Sequence, residues 1–107
     1  VNNAGILYSG PFEDTTIAAH HRTLDINVKG LLNGCHATFP YLKESSFARV
    51  INLSSASAIY GQADLASYAT SKFAVRGLTE SHHFAYEFQY MCATYAVYLA
   101  LLRNNID

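Results

Sequence analysis

Arg49-Val-Ile-Asn-Leu53 runs straight into Ser54-Ser55-Ala56-Ser57, and no other stretch of the chain limits its fold as tightly. A short β-branched, largely apolar segment reads as a buried strand, and a cluster of hydroxyls at its end reads as a polar loop. Stretches of helical spacing lie on both sides. From about His21 to Leu42 the apolar residues Leu24, Val28, Leu31, Leu32, Cys35 and Phe39 recur three and four apart, as one buried helix face requires. Gly30 and Gly34 on that helix let something pack closely against it. From about Leu65 to Phe88, Tyr68, Lys72, Val75 and Thr79 fall along one stripe, with Ala69, Phe73 and Arg76 beside it.

Asn2 to Gly5, followed by Ser9-Gly10-Pro11, reads as a strand end entering a loop. Thr15-Thr16 can cap a short helix that begins near Ile17, and the apolar run Ala93 to Leu102 reads as a last strand. Strand, helix, strand, helix, strand implies right-handed parallel crossovers in an α/β sheet, where ligands sit beyond the carboxyl ends of the strands. Asn2-Asn3-Ala4-Gly5 and Ser54-Ser55 both occupy such ends.

Composition narrows the partners. The 107 residues suit one domain, and only 14% are charged, against about 25% in an ordinary soluble domain, so more surface is covered than so short a chain covers by itself. A net charge of −1 with no basic run argues against nucleic acid and against a membrane surface. The uncharged run Phe88 to Leu102 falls short of the ~20 residues that cross a bilayer and carries Gln89 and Thr94. The chain opens at Val1 with no pattern of a secretory signal. Cys35 and Cys92, far apart and without C-x-x-C spacing, suit reduced thiols, and the compartment is read as cytoplasm. His20-His21, His36 and His82-His83 form no metal spacing, so no metal site is expected. Glu13, Asp14 and Glu80 read as solvated, and Phe84, Phe88, Tyr95 and Tyr98 as core or subunit contact.

Tyr68 and Lys72 stand four apart on the second long helix, where side chains are neighbours. A fixed cation beside a phenol favours its ionised form, and a tyrosine so placed exchanges protons effectively near neutral pH. With eight tyrosines in the chain such a pair also arises by chance, and its company decides the matter. Asn2-Asn3-Ala4-Gly5, Asp25-Ile26-Asn27-Val28-Lys29-Gly30, Val50-Ile-Asn-Leu-Ser-Ser55 and Tyr68-x-x-x-Lys72 follow one another in an order and spacing that resemble the short-chain dehydrogenase/reductase family. The resemblance is close from Val1 to about Glu80.

It implies an α/β fold, a Rossmann-like doubly wound parallel sheet of which residues 1–107 form the C-terminal portion, a partial NAD(P)-binding domain. It also implies an NAD(P)-dependent oxidoreductase that interconverts an alcohol and a carbonyl on a small molecule. Tyr68 would exchange a proton with the substrate oxygen, while Lys72 tunes that phenol and hydrogen-bonds the nicotinamide ribose. Ser55, 13 residues before Tyr68 (68 − 55), would donate to the substrate oxygen, with Ser54 and Ser57 as neighbouring alternatives. Asn27 would hold a water linking Lys72 to solvent, or else simply bond backbone. Asn2, Ala4 and Gly5 would let the cofactor lie close to the strand end.

The chain departs from the pattern in holding no T-G-x-x-x-G-x-G turn and no end of a second strand, so the choice between NAD and NADP is unreadable and the chain by itself is expected to be a weak enzyme at best. Aligned on Val97 to Ala100, the family's proline-glycine turn falls at Leu99-Ala100 and its cofactor threonine at Asn104. Family members pair through the equivalents of the two long helices, which implies a homo-oligomer. It also leaves open a second reading, a remnant that only mediates subunit association.

Overall fold

The computed structural model describes residues 1–85 and 89–92. Helix α1 (Ile17–Leu24) passes through a π-helical turn at Asp25–Lys29 into α2 (Gly30–Lys43), and strand β1 (Arg49–Asn52) follows. A 3-10 turn (Ala56–Ala58) precedes helix α3 (Ala66–Ala85), and strand β2 (Gln89–Cys92) closes the order. Thr16 supplies the cap expected near Ile17, its hydroxyl accepting the Ala19 N–H at 3.2 Å and satisfying one of the donors a helix start leaves bare.

The helix expected to be short and the longer one expected from His21 are one continuous helical run. The π-turn, where the Gly30 N–H reaches back five residues to the Asp25 carbonyl, decides which face is buried. Thr23, Asn27, Leu31 and Cys35 are buried, at a constant interval of four. Leu24, Val28 and Phe39, expected on the inner face, are half-buried, and Leu32 is exposed. The exposed ion pair Asp25–Lys29, 2.6 Å, spans the turn, and this hydrogen bond holds the Asp25 carboxyl below its usual range.

The sheet is parallel, as expected. Asn2 donates its N–H to the Ile51 carbonyl (2.8 Å) and accepts the Leu53 N–H (3.0 Å), while β2 pairs along the other edge of β1 from Arg49↔Gln89 to Asn52↔Cys92. β1 is therefore the middle of three parallel segments taken in chain order, and successive right-handed crossovers in one direction bring their helices to one face. Val50 and Asn52 are buried on that face, and Arg49 and Ile51 look the other way and are more open. Among the described residues the apolar core is small: Leu31 and Cys35 from α2, Val50 from β1 and Val75 from α3, with Leu42 and Leu78 packed against it.

Helix α3 was expected over Leu65 to Phe88; it starts one residue later, and Phe88 lies outside the described residues. The last strand was expected over Ala93 to Leu102, which also lies outside them, as do Tyr95, Tyr98, Leu99, Ala100 and Asn104. The described strand begins earlier, at Gln89, because backbone pairing with β1 and not the apolar run defines it. Among the described residues no helix is long and apolar enough to cross a membrane, and no cluster of three or more His, Cys, Asp or Glu side chains is placed to hold a metal ion.

Candidate active site

Helix α3 presents Tyr68 and Lys72 on one side, with the Lys72 Nζ 5.6 Å from the centre of the Tyr68 ring. Lys72 is 6% exposed, an unusual position for an ammonium unless hydrogen bonds compensate its lost hydration, and its Nζ donates to the Leu53 carbonyl at 3.0 Å. Leu53 is the residue at which β1 gives way to the serine loop, so this bond ties the cation to the strand end. Just before α3, Asp64 sits in the left-handed region (φ 61), which aspartate tolerates better than most side chains, and its carbonyl accepts the Gly10 N–H at 3.0 Å. That bond joins the loop after Asn2–Gly5 to the loop that launches α3.

The three serines at the end of β1 are no longer equivalent. Ser54 Oγ donates to the Lys72 carbonyl (2.9 Å), fastening the loop to α3, and buried Ser57 Oγ donates to Gln62 Oε1 (2.5 Å). Ser55 starts the 3-10 turn, its Oγ accepting the Ser57 N–H at 3.2 Å, and among the described residues nothing takes its own proton. Of the three, Ser55 is the one whose hydroxyl proton has no acceptor among the described residues. Arg76, one turn past Lys72, donates from Nη1 to the Ala58 carbonyl at 3.3 Å and from Nε to Glu80 at 2.6 Å. Glu80, expected to be solvated without a partner, is thus paired, because the helix places it four residues from Arg76.

Asn27 is 2% exposed, and its amide is occupied by protein. Its Oδ1 accepts the Ile6 N–H (2.8 Å), and its Nδ2 donates to the Ile6 carbonyl (2.9 Å) and to Ser71 Oγ (2.9 Å). Ser71 in turn donates to the Tyr68 carbonyl at 2.7 Å. The side chain is therefore a staple between the strand-end loop and α3. Both amide protons are spent, so a water bound by this residue would have to use its backbone or the remaining lone pair.

Asn2 likewise turns inward. Its Nδ2 donates to Asn52 Oδ1 (2.7 Å) and reaches Cys35 Sγ at 3.6 Å, while Asn52 Nδ2 donates to Thr79 Oγ1 (3.0 Å) and Thr79 to the Val75 carbonyl (2.7 Å). A Cβ at Gly34 would stand 2.9 Å from Asn2 Oδ1, which explains that glycine, whereas at Gly30 it would meet only ordinary contact. Burial raises the Cys35 thiol above its usual range, with the Asn2 amide opposing in part. Asn52, Thr79 and Ser71 were missed from sequence. Asn52 had a readable signal, an amide on the same strand face as Val50, since a buried amide needs partners.

At the strand ends lies a cleft of about 210 Å³ lined by Asn2, Asn3, Ala4, Asn27, Leu53 and Lys72 among others. A Cβ at Gly5 would stand 3.6 Å from Lys72 Nζ and 3.4 Å from Asn27 Oδ1, so the glycine keeps open the space in front of the ammonium. The structure thus brings Lys72, Asn27, Asn2 and Ala4 to one cleft, with Gly5 at its Lys72 side, Tyr68 beside Lys72, and Ser55 on the loop bonded to the same helix.

Residues 1–98 match the short chain dehydrogenase family. The 3-alpha-(or 20-beta)-hydroxysteroid dehydrogenase of Mycobacterium tuberculosis is 42% identical over 81 residues, covering 76% of this chain and 31% of that protein. The trans-4-hydroxycyclohexanecarboxylate dehydrogenase of Sinomonas cyclohexanicum is 37% identical over 81 residues, with the same coverage of 76% and 31%. The chain spans about a third of the length of these relatives. Among solved structures, Thermoplasma acidophilum aldohexose dehydrogenase superposes with a TM-score of 0.79 at 32% identity, over 85% of this chain and 37% of that one. A gluconate 5-dehydrogenase from Burkholderia cenocepacia in complex with NADP and tartrate superposes at 0.78 with 25% identity, over 85% and 38%.

Proposed function

The chain belongs to the short-chain dehydrogenase family, and we propose on that footing that it is the catalytic part of an NAD(P)-dependent oxidoreductase interconverting an alcohol and a carbonyl. The observation that carries this reading is the Lys72 ammonium buried one helical turn from Tyr68 at the mouth of the strand-end cleft. The cleft is smaller than the roughly 300–1,000 Å³ of a typical ligand pocket, a size that suits the nicotinamide-ribose half of a dinucleotide. Gly5 leaves the approach to Lys72 Nζ open, as a ribose hydroxyl bonding there requires. Asn2, Ala4 and Gly5 would hold that half through backbone and close approach, and Lys72 through its ammonium. Bound there, NAD or NADP supplies or accepts the hydride.

The rest of the chemistry belongs to this chain. Tyr68 passes a proton between its phenol and the substrate oxygen. Lys72 stands where positive charge stabilises the phenol oxygen as that proton leaves. Ser55 donates its uncommitted O–H to the substrate oxygen, where negative charge develops. Asn27 fixes the loop carrying Ile6 against α3 and so keeps Gly5 and Lys72 in register. The residues 1–107 contain no Gly-rich pyrophosphate turn, and the isolated segment binds cofactor weakly and turns over slowly. Buried, reduced Cys35 accords with a cytoplasmic setting.

Exposed Leu32 and Tyr41 on α2 and Phe73 on α3 favour a homo-oligomer formed through these helices. The function is tested in the full-length protein by following reduction of NAD and of NADP with a 3-hydroxysteroid and with trans-4-hydroxycyclohexanecarboxylate as probe alcohols. Tyr68→Phe should lower kcat by about 10²- to 10⁴-fold with the fold intact by circular dichroism. Turnover within tenfold of the parent would overturn the assignment and leave subunit association as the better account.

A further inference from the structure

Tyr68 is the third residue of α3, in the turn where a helix has no intrahelical bonds for its N–H groups and frays most readily. Among the described residues, one side-chain hydrogen bond reaches this turn from outside α3. His20 of α1 has its Nδ1 2.6 Å from the Oγ of Ser67, the residue immediately before Tyr68. The imidazole is half-buried and stacked on Phe12, ring centres 4.9 Å apart and planes tilted by 31°. Its Nε2 is shielded from solvent and has no hydrogen-bond partner among the described residues. A ring held this way offers only its Nδ1 edge, and that edge meets Ser67.

His20 sits one turn from Thr23, which is fully buried, so its own position is fixed by the body of the helix. Inside α3 the Ser71 hydroxyl bonds the Tyr68 carbonyl. Tyr68 is thus gripped from within by Ser71, and through Ser67 from α1. We propose that His20 is a positioning residue for the reaction, holding the first turn of α3 so that the Tyr68 phenol stays aligned with the substrate oxygen. This rests on the acid-base reading of Tyr68, because small misplacements of a reacting group lower the rate far more than they weaken binding.

In the full-length protein His20→Ala should lower kcat about tenfold with KM for cofactor and alcohol changed less than about twofold, the sign of a contribution made at the transition state. An asparagine amide takes the place of Nδ1 and a glutamine amide that of Nε2, so His20→Asn should restore most of kcat and His20→Gln should not. Ser67→Ala should match His20→Ala, and the double variant should be no worse than either single one, as for two ends of one interaction. Independently of turnover, hydrogen exchange at the Ala69 amide, bonded to the Leu65 carbonyl at 2.8 Å, should quicken in His20→Ala and Ser67→Ala and return to the parent rate in His20→Asn.

A lowered melting temperature with kcat and Ala69 exchange unchanged would overturn the proposal, as would equal rescue by glutamine. If Tyr68→Phe abolishes turnover while His20→Ala leaves kcat intact, the positioning role fails alone. If Tyr68→Phe retains turnover, the acid-base reading fails and takes this inference with it.

Discussion

The apolar cluster of Leu31, Cys35, Val50 and Val75 and the polar web around Asn52 are held between the same strand and helices, and the web around Asn27 ties the Ile6 loop to α3 beside them, yet cluster and webs are specified in different ways. The cluster needs volume and an approximate shape, and many apolar side chains supply both. The webs need each donor to meet its acceptor, since a buried polar group left alone costs about 1–3 kcal/mol. Buried polar residues are here as numerous as buried apolar ones among the described residues. Much of the described interior is thus fixed by individual hydrogen bonds, among them those that hold the strand-end loops against α3.

The contrast is put under most strain at Asn27. Asn27→Leu keeps the branched shape but strands both backbone groups of Ile6 and removes a partner of Ser71, and should cost about 3–5 kcal/mol in urea denaturation. In the cluster, Leu31→Ala should cost about 2–4 kcal/mol and Leu31→Met less than about 1.5. If Asn27→Leu proves as mild as Leu31→Met, the distinction between the two regions falls.

Two glycines sharpen it further. Gly34→Ala drives a methyl to 2.9 Å from an Asn2 oxygen whose amide is pinned to Asn52, and should destabilise by about 1–3 kcal/mol. Gly77→Ala, on an exposed part of α3 with nothing within 4 Å, should stabilise by about 0.5–1 kcal/mol. Thermal melts of the two variants should therefore move in opposite directions.

The smallest effect is a dependence on pH. Burial raises the Cys35 thiol, so the folded chain holds that proton more tightly than the unfolded one, and the contribution is complete below the unfolded value and lost as pH rises through the folded one. As pH rises above the unfolded thiol's value of about 8.5, the urea midpoint should fall more steeply in the parent than in Cys35→Ala. Parallel profiles would mean that the thiol is better solvated than its packing implies.

Legibility from sequence follows the same division. The parallel order, β1, the Tyr68–Lys72 pair and the strand-end loops could all be read, because periodicity and motif spacing record them. Among Ser54, Ser55 and Ser57 only the 13-residue interval to Tyr68 singled out Ser55, and their bonding partners now distinguish the three. Asn2 was read as a cofactor neighbour for its place at a strand end, and it lines the cleft, but its amide serves Asn52. Thr79 and Ser71 are ordinary residues in the sequence and acquire their roles only when partners from 27 or 44 residues away arrive, whereas Asn52 betrayed itself only as an amide on the buried face of β1. Long-range hydrogen bonds leave no periodic trace.

The π-turn between α1 and α2 has one further consequence. Along a regular α-helix, steps of four residues slip about 40° around the axis each time, so Thr23, Asn27, Leu31 and Cys35 would spiral away from a common neighbour. The wider turn absorbs that slip at Asp25–Lys29 and joins two helical phases into one straight inner edge. Winding this turn into regular α-helix with every residue kept would rotate everything beyond it by roughly 100°, so that Thr23 and Leu31 could no longer both face inward.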